Sequence, residues 1–276
     1  MASLKEIKDR IASVRSTLKI TSAMKLVASA KLRKAQINLD ALRPYRDELA
    51  TVLSLAGGSA GIGHVEKWNS RIAVVAMSSN SSLCGAFNSN AIRSALDFLR
   101  PRRGEVEIFA VGRKMAAALK KEGFDCDDSY CSLVAKPDFE ASAVLARRLI
   151  EGFTSGEYSR VVVICTHFVS TARQECSITD YLPLSSAERG KASEDYLMEP
   201  GAAAIADYVL PKLLELEFHT YIADNLTAEH AARMLAMQTA TDNAESLISS
   251  LTLEYNKGRQ QKITAEILDL LGGSAQ

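Results

Sequence analysis

The sequence lacks most features that mark secreted or metal-binding proteins. Its 276 residues include one Trp and five Cys, at Cys84, Cys126, Cys131, Cys165 and Cys176. An odd number of cysteines without a C-x-x-C pair predicts reduced thiols in a cytosolic compartment. For Cys126 and Cys131, two unrelated thiols are the ordinary interpretation, and a redox switch is the alternative.

Long apolar runs are also missing. The longest, such as residues 72–77 and 161–165, are far shorter than the ~20 residues that a membrane-spanning helix needs. Charged residues between Lys5 and Arg10 interrupt any secretory signal, and we expect no organelle transit peptide. Any membrane association is therefore expected to be peripheral. The balance of 33 Lys and Arg against 33 Asp and Glu argues against general nucleic-acid binding.

Motifs of nucleotide chemistry and catalysis are lacking too. There is no G-x-x-x-x-G-K-[ST] loop, and no G-x-G-x-x-G follows a predicted strand. A phosphate could rest on free amides in Ser81–Asn88, but a strand-to-helix turn is the commoner explanation. The four histidines are scattered, and a nucleophile–base pair of Cys84 and His167 has no support in the local sequence. We predict no catalytic residue, metal site or cofactor for the chain alone.

What the sequence does contain is a long heptad stripe near its start. Apolar or small residues recur there at alternating spacings of three and four, and thirteen of the sixteen positions are apolar. These positions are Leu4, Ile7, Ile11, Val14, Leu18, Thr21, Lys25, Ala28, Leu32, Ala35, Leu39, Leu42, Arg46, Leu49, Leu53 and Ala56. Residues 212–271 contain no Pro and one Gly, Gly258, and predict a second long helix. So long a stripe needs a partner along its length, and we expect the two helices to pair.

The charge distribution favours the same pairing. Residues 1–36 carry nine Lys and Arg against two Asp and Glu, whereas residues 201–271 carry five against ten. Opposite charge on facing helices sets register more than stability, because exposed ion pairs contribute only ~0–1 kcal/mol each. The alternative is two solvated helix faces that happen to differ in charge.

Between the helices the pattern changes to alternating strands and helices. The predicted strands are 72–77, 106–111, one near 129–134, and 160–165, and the predicted helices are 88–100, 112–122 and 139–154. This alternation predicts a Rossmann-like α/β domain with a parallel sheet covered on both faces. Residues 168–181 are more polar and predict an edge strand or a hairpin. The expected division is a helix at 1–56, a linker at 57–69, the α/β domain at 70–200 and a helix at 201–276.

Several motifs together carry a family resemblance. They are ITSAMKLVASAKLRKAQ at 20–36, LCGAFN at 83–88, EHAARMLAM at 229–237 with ATDNA at 240–244, and LEYNKGRQ at 253–260 with ITAEI at 263–267. They occur in the right order from one end of the chain to the other. On these motifs the sequence strongly resembles the gamma subunit of bacterial F-type ATP synthases.

The resemblance implies both a fold and a mechanism. The terminal helices would form an antiparallel coiled coil that turns, in one copy, inside a ring of three alpha and three beta subunits. The α/β domain would be the foot that joins the epsilon subunit and the c-ring of the membrane sector. Proton or sodium-ion flow would turn the rotor and drive the beta sites through their states. The chain would be non-catalytic and peripheral to the cytoplasmic side of a bacterial inner membrane.

The resemblance also implies partner-binding residues. Arg259 and Gln260 match the family's catch for a beta-subunit loop, and Thr264 and Glu266 extend it. Met24 lies at the position near the beta-subunit lever. The basic side chains that continue this lever surface are Lys25, Lys31, Arg33 and Lys34. For each of these cations the alternative is a solvated helix face.

Two further surfaces follow from the resemblance, one at each end of the expected rotor. The apolar tip, which would be held in a bearing, comprises Ile263, Ile267, Leu270 and Leu271. In the foot, Tyr196 and Glu199 match the segment that meets the c-ring.

Some residues depart from the family pattern. Ser78–Ser82 replaces a Ser-x-Asp-Arg-Gly run, which puts any salt bridge of that loop in doubt. Gly258 stands where alanine is common, at a cost of roughly 1 kcal/mol in helix propensity. Two other functions stay open, a coiled-coil scaffold with an α/β head and a dinucleotide-dependent enzyme. The polar pair Arg259 and Gln260 within an apolar tip favours the rotor over the scaffold.

Overall fold

The structure is a computed structural model that describes residues 3–56, 71–135, 137–184 and 198–273, with side chains as far as residue 268. The chain divides into two compact units. One unit comprises Met1–Ala28 and Met234–Gln276, and the other comprises Ser29–Arg233.

Five helices and four strands form the described parts of the chain. The helices are α1 (Leu4–Leu55), α2 (Phe87–Leu99), α3 (Arg113–Lys121), α4 (Phe139–Thr154) and α5 (Ala202–Gly273). The strands are β1 (Ile72–Met77), β2 (Val106–Val111), β3 (Arg160–Phe168) and β4 (Gln174–Leu182). Long terminal helices with an α/β region between them confirm the predicted fold class.

The start of α1 is set by a capping box. Ser3 Oγ accepts a hydrogen bond from the Glu6 amide at 3.2 Å, and Glu6 Oε2 accepts one from the Ser3 amide at 2.8 Å. Such reciprocal bonds satisfy amides that the first helical turn leaves without a partner. The Ser-x-x-Glu spacing was a readable signal in the sequence.

The heptad stripe of α1 is confirmed by its burial. Each of the sixteen predicted positions is buried or partly buried, although residues between them are mostly exposed. In the unit formed by the chain ends, α5 shows a matching stripe with the same alternating spacings. Its buried or partly buried members are Met237, Thr241, Ala244, Ile248, Leu251, Tyr255 and Gly258.

Two contacts in that unit set the direction of the two helices. Thr241 Oγ1 donates to Thr21 Oγ1 at 3.1 Å, and Gly258 lies against the side chain of Leu4. Moving along α1 from Leu4 to Thr21 therefore corresponds to moving backwards along α5 from Gly258 to Thr241. The two helix ends are antiparallel here, as the resemblance implied.

The second unit contains a mixed four-stranded sheet in the order β2-β1-β3-β4. β1 is parallel to both β2 and β3, whereas β4 is antiparallel to β3. β1 and β3 are apolar and buried along nearly their whole length, which is typical of central parallel strands. β4 is exposed or partly buried as far as Asp180, ends in the buried residues Tyr181 and Leu182, and is an edge strand of the sheet.

Helices cover both faces of this sheet. On one face, Val75 and Val163 pack with Leu145 of α4 and Phe218 of α5. On the other face, Val74, Ile164 and neighbouring residues pack with α2 and α3. The prediction of a sheet covered on both faces is confirmed. This packing brings β3 beside α5, and polar side chains of α5 contact β3 there.

The strand predicted near residues 129–134 is wrong. Cys131–Val134 forms a 3₁₀ turn, and the pairing with β2 is limited to a single parallel bridge between Phe109 and Asp127. Asp127 Oδ1 accepts the Ser129 amide at 3.0 Å, which turns the chain away from the sheet. An Asp that bonds the backbone two residues on favours a turn over a strand.

Candidate partner-binding surfaces

The predicted catch lies on the part of α5 that extends past the start of α1. Leu4 faces Gly258, and α5 continues from there to Gly273. Arg259 and Gln260 are both exposed on this extension. Their polar groups are therefore presented outward, next to the last turn that α1 covers.

The two residues expected to extend the catch are placed differently. Thr264 Oγ1 donates to the Gln260 carbonyl at 2.9 Å, so these residues share one helix face. Glu266 instead lies 3.7 Å from Lys262 Nζ, in an exposed i, i+4 pair. Such pairs contribute only ~0.3–0.5 kcal/mol, so Glu266 is easily available to another partner.

The apolar tip is exposed where its side chains are described. Ile263 is 46% exposed and Ile267 is 51% exposed, and Leu268 beside them is also exposed. Leu270 and Leu271 lie in the helical backbone, but their side chains are outside the described part. Neighbouring exposed apolar side chains on one helix end mark an interaction surface.

The predicted lever surface on α1 is only partly exposed. Met24 and Lys25 are partly buried, whereas the three other cations, Lys31, Arg33 and Lys34, are exposed. Lys25 occupies a position of the heptad stripe, so its aliphatic stem packs against the seam while its ammonium group can reach solvent.

Sequence reasoning missed a set of apolar residues beside these positions. Ile20, Leu26 and Val27 of α1 are 61%, 69% and 56% exposed, and Leu253 of α5 is 72% exposed. The signal was available, because these large apolar residues fall outside the heptad stripe and so cannot all face the partner helix. At 3.6 residues per turn, Ile20 and Val27 lie on the same side of α1 as Met24, so these two residues extend its candidate surface.

Of the two predicted foot residues, Glu199 lies in the described part of the chain. Glu199 is exposed and is followed by a cis peptide bond to Pro200. Tyr196 lies outside the described residues, so its predicted role stays a prediction. Neither observation tests the expected contact with a c-ring.

The uncharged loop Ser78–Ser82 is held by neutral hydrogen bonds. Asn80 Oδ1 accepts the Arg113 amide at the start of α3 at 2.8 Å, and Asn80 Nδ2 donates to the Cys131 carbonyl at 2.9 Å. Close by, a Cβ at Gly112 would lie 2.4 Å from the Ser78 carbonyl oxygen, and its φ of +123° also requires glycine. The loop is thus anchored without the two charges that the family pattern carries.

The stretch Ser81–Asn88 folds as a turn between β1 and α2, and Asn88 holds it together. Asn88 Oδ1 accepts both the amide and the hydroxyl of Ser79, at 3.0 and 2.9 Å, and Asn88 Nδ2 donates to Cys84 Sγ at 3.1 Å. These bonds agree with the strand-to-helix turn. His167 instead bonds Asp224, and among the described residues no hydrogen bond joins it to Cys84.

A buried ion pair ties the same loop to α5. Arg233 Nη1 donates to Glu229 Oε1 at 2.7 Å, and Arg233 Nη2 donates to Ser81 Oγ at 2.8 Å. Burial raises the pKa of Glu229, while the charge of Arg233 opposes that rise. A pair this buried depends on both partners, since removing one leaves an unpaired charge.

Cys126 and Cys131 are both partly buried thiols. Burial is the main cause that raises the pKa of both Cys126 and Cys131, and Cys131 Sγ donates to the Ala110 carbonyl at 3.5 Å. A raised pKa lowers the thiolate fraction and therefore the reactivity. A redox switch between them stays an untested alternative.

Together these surfaces indicate the class of protein to which the chain belongs. A pair of antiparallel helix ends carries exposed apolar and polar side chains, and an α/β domain is inserted between the helices. In the described ranges no helix has a segment long and apolar enough to cross a membrane. Such a chain is built as a subunit that contacts other proteins along its helices.

Comparisons with known proteins identify the family. The sequence profile of the family described as ATP synthase matches residues 3–275. The ATP synthase gamma chain of Parabacteroides distasonis is 41% identical, with 100% of this chain and 99% of the relative covered. That of Bacteroides fragilis is 45% identical, with 99% of both covered. The chain belongs to the gamma-chain family of ATP synthases.

Solved structures support the fold. A chain of the Euglena gracilis mitochondrial ATP synthase, in an assembly of OSCP, F1 and c-ring, gives a TM-score of 0.66 at 19% identity, covering 99% of this chain and 93% of that one. A chain of the Tetrahymena thermophila central stalk and c-ring gives 0.57 at 18% identity, covering 80% and 99%. At these identities the likeness concerns the fold alone.

Proposed function

We propose that the chain is the central rotor subunit of a proton-translocating F-type ATP synthase and couples c-ring rotation to the catalytic cycle of the beta subunits. The observation that carries the proposal is the α5 extension beyond Gly258. It presents Arg259 and Gln260 beside the exposed Ile263 and Ile267, a polar pair next to an apolar tip. Membership of the gamma-chain family supports it.

The mechanism rests on differential binding. A rotor drives a beta subunit between conformations only if its surface binds those conformations with different affinity. Moving a two-state site from 1:99 to 99:1 takes about 5.5 kcal/mol of differential binding free energy. The exposed side chains of α1 and α5 offer several contacts over which that energy can be distributed.

The proposal includes the partners and the place of action. Three alpha and three beta subunits would surround one copy of this chain, and the epsilon subunit and c-ring would bind the foot, with Tyr196 and Glu199 at the c-ring contact. The chain would be non-catalytic and peripheral to the cytoplasmic side of a bacterial inner membrane. We also propose the division into helices at 1–56 and 201–276 around a foot at 70–200.

Reconstitution tests this proposal. The purified chain is mixed with alpha and beta subunits, and the particle's composition and ATPase rate are measured. We expect a 3:3:1 particle, as the proposed stoichiometry requires, whose turnover falls when Arg259 and Gln260 are both replaced by Ala.

The chain offers a matched control for that variant. Lys257 and Gln261 flank the pair, are exposed, and also combine one cation with one amide. Lys257→Ala with Gln261→Ala should leave turnover near that of the unchanged chain. Equal turnover in the two double variants would show that Arg259 and Gln260 do not act as a catch. Failure of the unchanged chain to enter the particle would leave the coiled-coil scaffold as the better description.

A further inference from the structure

Strand β3 extends past the end of its neighbour β1. The last residues that the two strands pair are Ala76 and Ile164, yet β3 continues to Phe168. β4 pairs with the other edge of β3 as far as Phe168. Beyond Ile164, the amides that point away from β4 therefore have no strand beside them. A buried amide without an acceptor is costly, so another element has to supply one.

Helix α5 supplies these acceptors with two consecutive side chains. Asn225 Oδ1 accepts the Thr166 amide at 3.2 Å, and Asp224 Oδ1 accepts the Phe168 amide at 3.0 Å. Asp224 Oδ2 also accepts a hydrogen bond from His167 Nδ1 at 2.6 Å. The two side chains thus continue the ladder of β3 after β1 has ended.

The same point also receives a side chain from α1. Arg43 Nη2 lies 3.8 Å from Asp224 Oδ1. Asp224 and Asn225 are only 6% and 1% exposed, so these bonds are shielded from water. Two helices and the sheet therefore meet at one buried carboxylate and its neighbouring amide.

A second polar attachment holds α5 to the sheet further along the helix. Tyr181 Oη of β4 donates to the Leu214 carbonyl at 2.8 Å. Leu214 and Asp224 are roughly 15 Å apart along a helix that rises 1.5 Å per residue. Apolar packing fills the space between them, but it is non-directional, whereas hydrogen bonds to a carboxylate are strong and have a preferred geometry.

We infer that Asp224 and Asn225 are positioning residues that prevent α5 from turning against the β-sheet, and that torque passes between the foot and the long helices through this joint. The inference rests on the proposed rotor function. It assigns the transmission of torque to a buried polar contact at the end of β3, separate from the surfaces that bind other subunits.

Two variants remove the joint and two matched variants leave it in place. Asp224→Leu removes the acceptors for the Phe168 amide and for His167, and Asn225→Leu removes the acceptor for Thr166. Thr220 and Thr227 are equally buried on α5, but their hydroxyls donate to carbonyls of their own helix at 2.8 Å. Thr220→Val and Thr227→Val therefore remove a buried hydroxyl without loosening the contact with β3.

The test uses the complete membrane complex with each variant, at matched gamma-chain content. ATP hydrolysis and ATP-driven proton pumping are measured together while the opposing proton gradient is raised. We expect the joint variants to keep hydrolysis but to lose pumping per ATP at a lower gradient than the two Thr variants do. Faster hydrogen exchange at the Thr166 and Phe168 amides should accompany that loss.

Two outcomes separate the inference from the function on which it rests. Pumping per ATP equal to that of the Thr variants, with faster exchange at Thr166 and Phe168, would reduce the joint to a purely structural contact and overturn the inference. Failure of the unchanged chain to enter a pumping complex would instead overturn the proposed function.

If the buried variants do not assemble, Arg43→Gln replaces them, because that side chain is 44% exposed and Asp224 keeps its hydrogen bonds to Phe168 and His167 without it. If Arg43→Gln pumped as many protons per ATP as the unchanged chain against a raised proton gradient, that result would overturn the inference.

Discussion

Replacing glycine by alanine should change the stability of this chain in opposite directions at two helical positions. Gly258 lies within α5 and Gly152 lies within α4. In a helix interior, alanine is favoured over glycine by about 1 kcal/mol, because glycine loses more backbone freedom on folding. The propensity gain is therefore similar at both sites, and the surroundings of the new methyl group decide the sign.

At Gly258 the surroundings can adjust. An added Cβ would lie 3.0 Å from Leu4 Cδ2, which is the end of a flexible side chain on the first residue of α1. A shift of a few tenths of an ångström relieves this contact. We expect Gly258→Ala to stabilise the chain by about 0.5–1 kcal/mol.

At Gly152 the surroundings cannot adjust. An added Cβ would lie 2.3 Å from Tyr158 Cε2 and 2.6 Å from Cδ2, and the Tyr158 ring is buried in the core. The Tyr158 amide also donates to the Gly152 carbonyl at 3.0 Å, which holds the two residues together. Overpacking of this kind costs about 1–3 kcal/mol or more, so Gly152→Ala should destabilise the chain by a net 1–2 kcal/mol or so.

Thermal unfolding of the purified variants, followed by far-ultraviolet circular dichroism, measures both effects. For a chain of this size, 1 kcal/mol corresponds to a shift of roughly 2–4 °C in the midpoint. A lower midpoint for Gly258→Ala would show that Leu4 cannot move. A higher midpoint for Gly152→Ala would refute the reasoning that Cβ distances to buried rings determine the sign.

Three further predictions concern buried polar groups. Burial lowers the pKa of His230 to about 4, whereas an unfolded histidine titrates near 6.5, so the stability from its neutral form is complete above about pH 6.5 and is lost as the pH falls towards 4. His230→Gln should remove about 3 kcal/mol of that acid loss, measured as the unfolding free energy against pH. Burial raises the pKa of Cys165 far above its usual range, and we expect this thiol to resist alkylation in the folded chain and to react on unfolding, as mass spectrometry would show. For Thr21 and Thr241, the double change to Val should cost less than the sum of the two single changes, because either single change already removes the hydrogen bond between the two helices, and the remaining hydroxyl still bonds a carbonyl of its own helix. Additive costs in a double-mutant cycle would contradict that pairing.

The terminal helices could be predicted closely because their signals are local. The alternation of three and four residues from Leu4 to Ala56 follows from the helical repeat, and every predicted position is buried or partly buried. The strands 72–77 and 106–111 were also predicted with their observed bounds, because short, mostly apolar runs between helices are typical of parallel sheets. The exposed pair Arg259 and Gln260 came from motif resemblance.

The polar elements could not be predicted in the same way. Residues 129–134 have strand-like composition, but the Asp127 side chain bonds the backbone of Ser129 and the chain turns. The polar segment after β3 was left open between an edge strand and a hairpin, and the structure shows β4 antiparallel to β3. Both outcomes depend on which backbone groups find partners, and composition alone does not decide that.

By itself, the sequence determined the two long helices, the α/β domain between them, the heptad stripe and the family. All of these depend on periodicities and motifs within short stretches of chain. Only the tertiary structure decided that Asp224 and Asn225 meet β3 and that Arg233 reaches Ser81. Those contacts join residues up to 152 positions apart. A local sequence pattern cannot predict them, because the two partners come together only when the sheet and the helices pack.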